Sequence, residues 1–128
     1  MILLGSYQPL AAVTKAVIGT DNNITGKSQV SLAVVAAGLA SGSSAKVYVQ
    51  VQIGADWYDV AAFAFTTGSA AKTLSVSTAG LSAAATLGDA ALTDDTAIQG
   101  LLGRALRAVL TTTGTYTAGS VAVYYQTH

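Results

Sequence analysis

Cysteine and glutamate are missing from these 128 residues, histidine and proline occur once each, and charged side chains make up only 9%. Each shortage closes a route. Without cysteine there is no disulfide framework, no thiolate nucleophile and no thiolate metal site. The single histidine, His128, stands last in the sequence, where a side chain is poorly placed to be held between a nucleophile and an orienting carboxylate. Six aspartates are the whole acidic complement. Asp56 and Asp59 flank Trp57-Tyr58 and could be read as a glycosidase pair beside a sugar platform. A turn role for Asp56 and a core role for Trp57 fit the pattern better. Asp89, Asp94 and Asp95 lack the spacing and the closing glutamate of a calcium loop. The glycines at 100 and 103 have no P-loop lysine after them. The sequence therefore predicts a non-enzyme with no catalytic residue, cofactor or metal.

Charge is scarce as well as balanced. Ordinary soluble domains are about 25% charged, and here six basic residues offset six acidic ones. The basic residues Lys15, Lys27, Lys46, Lys72, Arg104 and Arg107 are scattered, so no run of them exists to neutralise phosphates and nucleic acid is not an expected partner. The longest uncharged stretches, 28–45 and 108–128, are interrupted by Ser, Thr and Gly, so no membrane partner is expected. Residues 1–5 carry no basic n-region of a secretory signal. A nearly uncharged surface suits a chain that its neighbours cover permanently.

Valines dominate what is present, and their spacing is that of strands. Val47, Val49, Val51 and Ile53 alternate with Tyr48, Gln50 and Gln52, which predicts a strand over 45–53 with one buried face. The turn at Gly54-Ala55-Asp56 returns the chain along 57–66 as a hairpin. Both faces of that second strand are apolar, so it is expected to be covered on both sides. Similar patterns predict strands over 10–18, 27–36, 72–78, 103–113 and 120–126. Residues 80–95, rich in Ala, Gly, Ser and Thr, read as a long covering loop, with a short helix or turn starting at Asp94-Asp95.

The expected fold is all-β: a single antiparallel β-sandwich, jelly-roll-like, over residues 10–128, with a short N-terminal arm over 1–9. Val47, Val49, Val51, Ile53, Phe63, Phe65, Leu106, Leu110, Val121 and Val123 are its expected core. The arm holds Ile2, Leu3, Leu4 and Tyr7 ahead of Pro9. It is expected to be loose in the free protein and ordered against a partner.

Two stretches carry a resemblance. Residues 47–65, VYVQVQIGADWYDVAAFAF, run an alternating strand through a tight turn into a W-x-D pair, Trp57 and Asp59. Residues 100–124, GLLGRALRAVLTTTGTYTAGSVAVY, run a G-x-L-G-x-x-L-R strand through T-T-G-T-Y to a last strand. Both resemble segments of small tailed-bacteriophage virion proteins, most closely the head decoration, or cement, proteins. The resemblance implies a minor capsid protein on the capsid exterior of the virion. It would act as a homo-oligomer, a trimer in the usual geometry, that binds across subunits of the major capsid protein and stabilises the shell. A proline-rich arm common in such proteins is absent, since only Pro9 is present.

The partner-binding candidates are the arm residues Ile2, Leu3, Leu4 and Tyr7, the arginines Arg104 and Arg107, and Tyr116 in the turn. The two arginines are three apart and belong on opposite faces of a regular strand. One of them is expected to pair with Asp94 or Asp95. A rival reading is a glycan- or receptor-binding sandwich of a phage tail, fibre or neck, which an exposed Trp57 beside a carboxylate would favour.

Overall fold

Alternating valines become two stacked sheets in the computed structural model, which describes residues 1–8, 11–79 and 83–128. The nine strands are β1 (Ile2–Tyr7), β2 (Ala16–Asp21), β3 (Gln29–Ala40), β4 (Ser44–Ile53), β5 (Asp56–Phe65), β6 (Gly68–Ser77), β7 (Thr96–Ala97), β8 (Leu106–Thr113) and β9 (Ala118–Thr127). One sheet runs β1-β9-β3-β6 and the other β2-β8-β4-β5-β7, with every pairing antiparallel. There is no helix among the described residues. The expected all-β sandwich is the observed architecture.

The core lies between the sheets. Val30, Leu32 and Val34 of β3 and Val121 and Val123 of β9 are fully buried, and so are Val47, Val49 and Val51 of β4 and Leu106 and Leu110 of β8. Each such side chain contributes about 1.5–3 kcal/mol when withdrawn from water. Phe63 and Phe65 complete the expected core. Ile53 does not belong to it. It keeps the inward parity of β4 but sits opposite Asp56 at the hairpin tip, past the end of the core, and is 40% exposed.

Residues 2–7 are not an arm. They form β1, paired with β9 from Ile2 opposite Tyr125 to Tyr7 opposite Val121. Leu4 is buried in the core, which gives the segment the sheet partner and the burial that a loose arm would lack. Pro9 and Leu10 lie outside the described residues. The strand expected over 10–18 starts later, at Ala16, and the one expected over 103–113 starts at Leu106.

β1 and β2 belong to different sheets yet touch, backbone to backbone. A methyl group on Gly5 would overlap the Ile18 carbonyl, and one on Gly19 would overlap the Leu4 carbonyl. Each strand carries a β-bulge at that place, between Leu3 and Gly5 and between Val17 and Gly19. Sheets normally pack about 10 Å apart because side chains separate them. Here two glycines remove the spacers and the sandwich pinches shut.

Hydroxyls tie the sheets elsewhere. The Tyr125 hydroxyl on β9 donates to the Asp21 carboxylate at the end of β2. That bond, with burial and the same negative charge adding to it, pushes the Tyr125 hydroxyl up to about 12. Burial also raises Tyr48 and Tyr116. A tyrosine whose folded value exceeds its unfolded value stabilises the fold fully below about pH 10 and loses that contribution as pH rises through the folded value. The denaturant midpoint is therefore expected to fall between about pH 10 and about pH 12, with Tyr125 accounting for on the order of 2 kcal/mol. Tyr125→Phe should flatten that slope, and an equally steep slope in the variant would assign it elsewhere.

Candidate functional site

The densest polar arrangement lies on the outer face of the five-stranded sheet, and a bulge creates it. Val49 of β4 is opposite Ala61, but the next residue, Gln50, is opposite Asp59, so Val60 is the extra residue on β5. The insertion flips the side-chain parity of the strand. Phe63 and Phe65 point inward, while Asp59 and Trp57 share the outer face with Gln50 and Gln52.

Asp59 is fully buried there. Its Oδ1 accepts from Gln50 Nε2 at 2.8 Å and from the Ala90 N–H at 2.9 Å. Its Oδ2 accepts from the N–H groups of Ala91 and Leu92 at 2.8 and 3.1 Å. A carboxylate offers about four acceptor positions, and all are used. The loop at 88–92 thus wraps three consecutive N–H groups around one side chain, and Ala90 adopts a left-handed backbone, φ 54°, to do so. Leu92 and Ala90 then cover Tyr48, Ala62 and Val109. The covering loop expected over 80–95 does cover the sheet, although residues 80–82 lie outside the described residues. Asp94-Asp95 starts a turn rather than a helix.

Gln50 is also fully buried and fully used. Its second Nε2 hydrogen goes to Asp89 Oδ1 at 2.6 Å, and its Oε1 accepts from Arg107 Nε at 2.8 Å. The Arg107 guanidinium lies 4.6 Å from the centre of the Trp57 ring, a cation–π contact. Asp89 receives Lys15 Nζ at 2.7 Å. The Lys15 and Gln50 hydrogen bonds, with the Arg107 charge behind them, hold the Asp89 carboxyl below the usual carboxylate range against the opposing effect of burial. Together Lys15, Asp89, Gln50, Asp59, Arg107 and Trp57 form one chain of contacts.

The other aspartates do not converge. Asp94 pairs with Lys46 at 3.0 Å, and Asp95 pairs with Lys72 at 2.9 Å. Burial raises Asp95, but the Lys72 bond and the Ala64 N–H outweigh it and lower the group. Neither aspartate meets an arginine, contrary to the expected pairing, because lysines from β4 and β6 reach them first. No group of three or more His, Cys, Asp or Glu residues among the described residues has a metal-holding arrangement.

The predicted contact residues fall into two sets. Ile2 and Leu3 are 61% and 52% exposed, and Arg104 is exposed on the segment just before β8 rather than on the strand. These three remain accessible. Tyr7 and Arg107 are half-buried, and Leu4 is buried. Tyr116 is 2% exposed, and its hydroxyl donates to the Thr66 carbonyl at 2.5 Å while its ring occupies the space above Gly42. It is a corner bolt of the sandwich and is not free for a partner. Trp57 is half-buried with one ring face given to Arg107, so it is not the open stacking platform a glycan would need. Val17, 52% exposed on β2, does not stand out in the sequence, since the bulge at Val17/Gly19 turns it out of the expected alternation. No family model matches the chain, and no match is found among the curated proteins or the solved structures.

Proposed function

We propose that the protein is a structural subunit of a tailed-phage virion that decorates the capsid exterior, binding across major capsid protein subunits as a homo-oligomer, with a trimer expected. The observation that carries the reading is the exposed apolar start of β1. Met1, Ile2 and Leu3 are 59%, 61% and 52% exposed there. Large apolar side chains held outward on rigid strands are typical of protein contact surfaces. The ionic groups nearest in role to a catalytic set are consumed in fixing the 88–92 loop, which supports a structural rather than a chemical task. The resemblance in residues 47–65 and 100–124 supplies the virion.

Electron microscopy of intact particles containing the chain is expected to place it outside the shell, over boundaries between capsid subunits. Ile2→Ser should leave the sandwich folded and weaken attachment by about tenfold or more, since burying that side chain is worth about 1.5–3 kcal/mol. Density at the neck or tail would overturn the capsid reading.

A further inference from the structure

Both sheets have an outer face, and the chain treats them differently. The five-stranded sheet carries Lys46, Asp59 and Arg107 on its outer side and is roofed by the 88–92 loop with Asp89 and Asp94. Among the described residues, nothing roofs the four-stranded sheet, and Val35, Ala71 and Thr73 are exposed on it. Its outward residues run in rows across the strands: Leu3, Tyr124, Ala33 and Thr73 in one, and Ser6, Ala122, Val35 and Ala71 in the next. Lys72 is the one charged residue in these four strands, and it shares parity with inward-facing Val34, reaching Asp95 and the Ala64 carbonyl at the sandwich edge. Among the described residues, no charged side chain stands on that outer face.

We infer that this charge-free face is the contact between copies of the chain, packed sheet against sheet as a two-fold dimer; the inference rests on the homo-oligomer of the proposed function, names its surface, and sets a pair in place of the trimer that the resemblance implies. Charge complementarity selects the occupant. A face with charges of one sign repels its own copy, and a charged partner would be desolvated here without a counter-ion. Hydroxyls such as those of Ser31, Ser75 and Ser120 each donate and accept, so a Ser/Ala face is complementary to itself. Small side chains also let two such faces approach closely. Four strands about 4.8 Å apart and about 30 Å long present roughly 550 Å² per copy, so a face-to-face pair covers about 1,100 Å², just above the roughly 1,000 Å² that a biological contact needs and at the size of a weak, reversible one.

Val35 is the probe position. It lies on β3, an interior strand of the sheet, and is 39% exposed. Sedimentation equilibrium of the purified chain up to about 100 µM is expected to show association. Val35→Lys and Val35→Glu should each raise the dissociation constant about tenfold or more, because either sign meets its own copy. Ala84→Lys, at an exposed position of the loop after β6, should leave it unchanged. Far-ultraviolet circular dichroism should be the same for all four proteins. A monomeric wild type, or association of both Val35 variants at wild-type strength, overturns the inference. Capsid attachment is scored separately: a monomer that still decorates particles overturns the inference and spares the capsid reading, whereas an oligomer that the Val35 variants dissolve but that never binds particles does the reverse.

Discussion

Asp59→Ala is expected to destabilise the fold by about 3–5 kcal/mol, because it leaves several buried or part-buried donors without an acceptor at about 1–3 kcal/mol each. Four donors lose their acceptor at once: one hydrogen of Gln50 Nε2 and the N–H groups of Ala90, Ala91 and Leu92. Gln50 is fully buried and has no water to turn to, and an unsatisfied buried donor costs about 1–3 kcal/mol. The left-handed backbone of Ala90 also loses the group that holds it. For a domain of this size each kcal/mol moves the melting midpoint by about 3–5 °C, so a drop of more than about 10 °C is expected. Limited proteolysis should then cut within 83–95, where the wild type resists. Asp59→Asn keeps the shape but sets an NH₂ against backbone N–H groups, and should recover only part of the loss. A loss below about 1 kcal/mol for the alanine variant would mean that apolar packing of Leu92 holds the loop.

Gly19→Ala should cost about 3 kcal/mol, the upper part of the range for overpacking, because the added methyl meets the backbone of β1 and not a side chain that can rotate away. Gly5→Ala meets the backbone of β2 in the same manner. Gly26 supplies the control. Its φ is +82° with nothing near its Cβ position, so Gly26→Ala bears only left-handed strain of about 1–2 kcal/mol. Chemical denaturation of the three variants measures the difference. Equal losses at Gly19 and Gly26 would show that the pinch relaxes at little cost.

What the sequence reveals about this fold follows from how regular each strand is. β3, β4 and β9 alternate without interruption along their buried stretches, and their inward valines are readable at sight. β5 alternates too, but a strict period of two places Asp59 with Phe63 on one face. One extra residue, Val60, separates them onto opposite faces, and no local signal announces it. The polar cluster is hidden for that reason. Asp59, Asp89 and Arg107 are each visible as residues, while Gln50 becomes their common partner only through the bulge and through a loop residue 39 positions along the chain. β1 reads as an arm because its partner, β9, lies at the far end of the sequence, and pairing of that kind leaves no trace in local composition. Tyr116 reads as a free turn residue for a related reason, since its acceptor, Thr66, is 50 positions away.

The pairing of Ile2 with Tyr125 has a kinetic consequence. β9 lies between β1 and β3, so the four-stranded sheet cannot close until residues 118–127 have been synthesised. Until then the apolar segment Ile2–Tyr7 has no strand to join, and the inner edge of β3 stands open. Non-local pairings of this kind place the chain among slow-folding β proteins, on a scale of roughly milliseconds to seconds. The growing chain therefore carries an unpaired edge and an unpaired apolar strand until β9 has emerged, and removing β9 from the sequence would strand both at once.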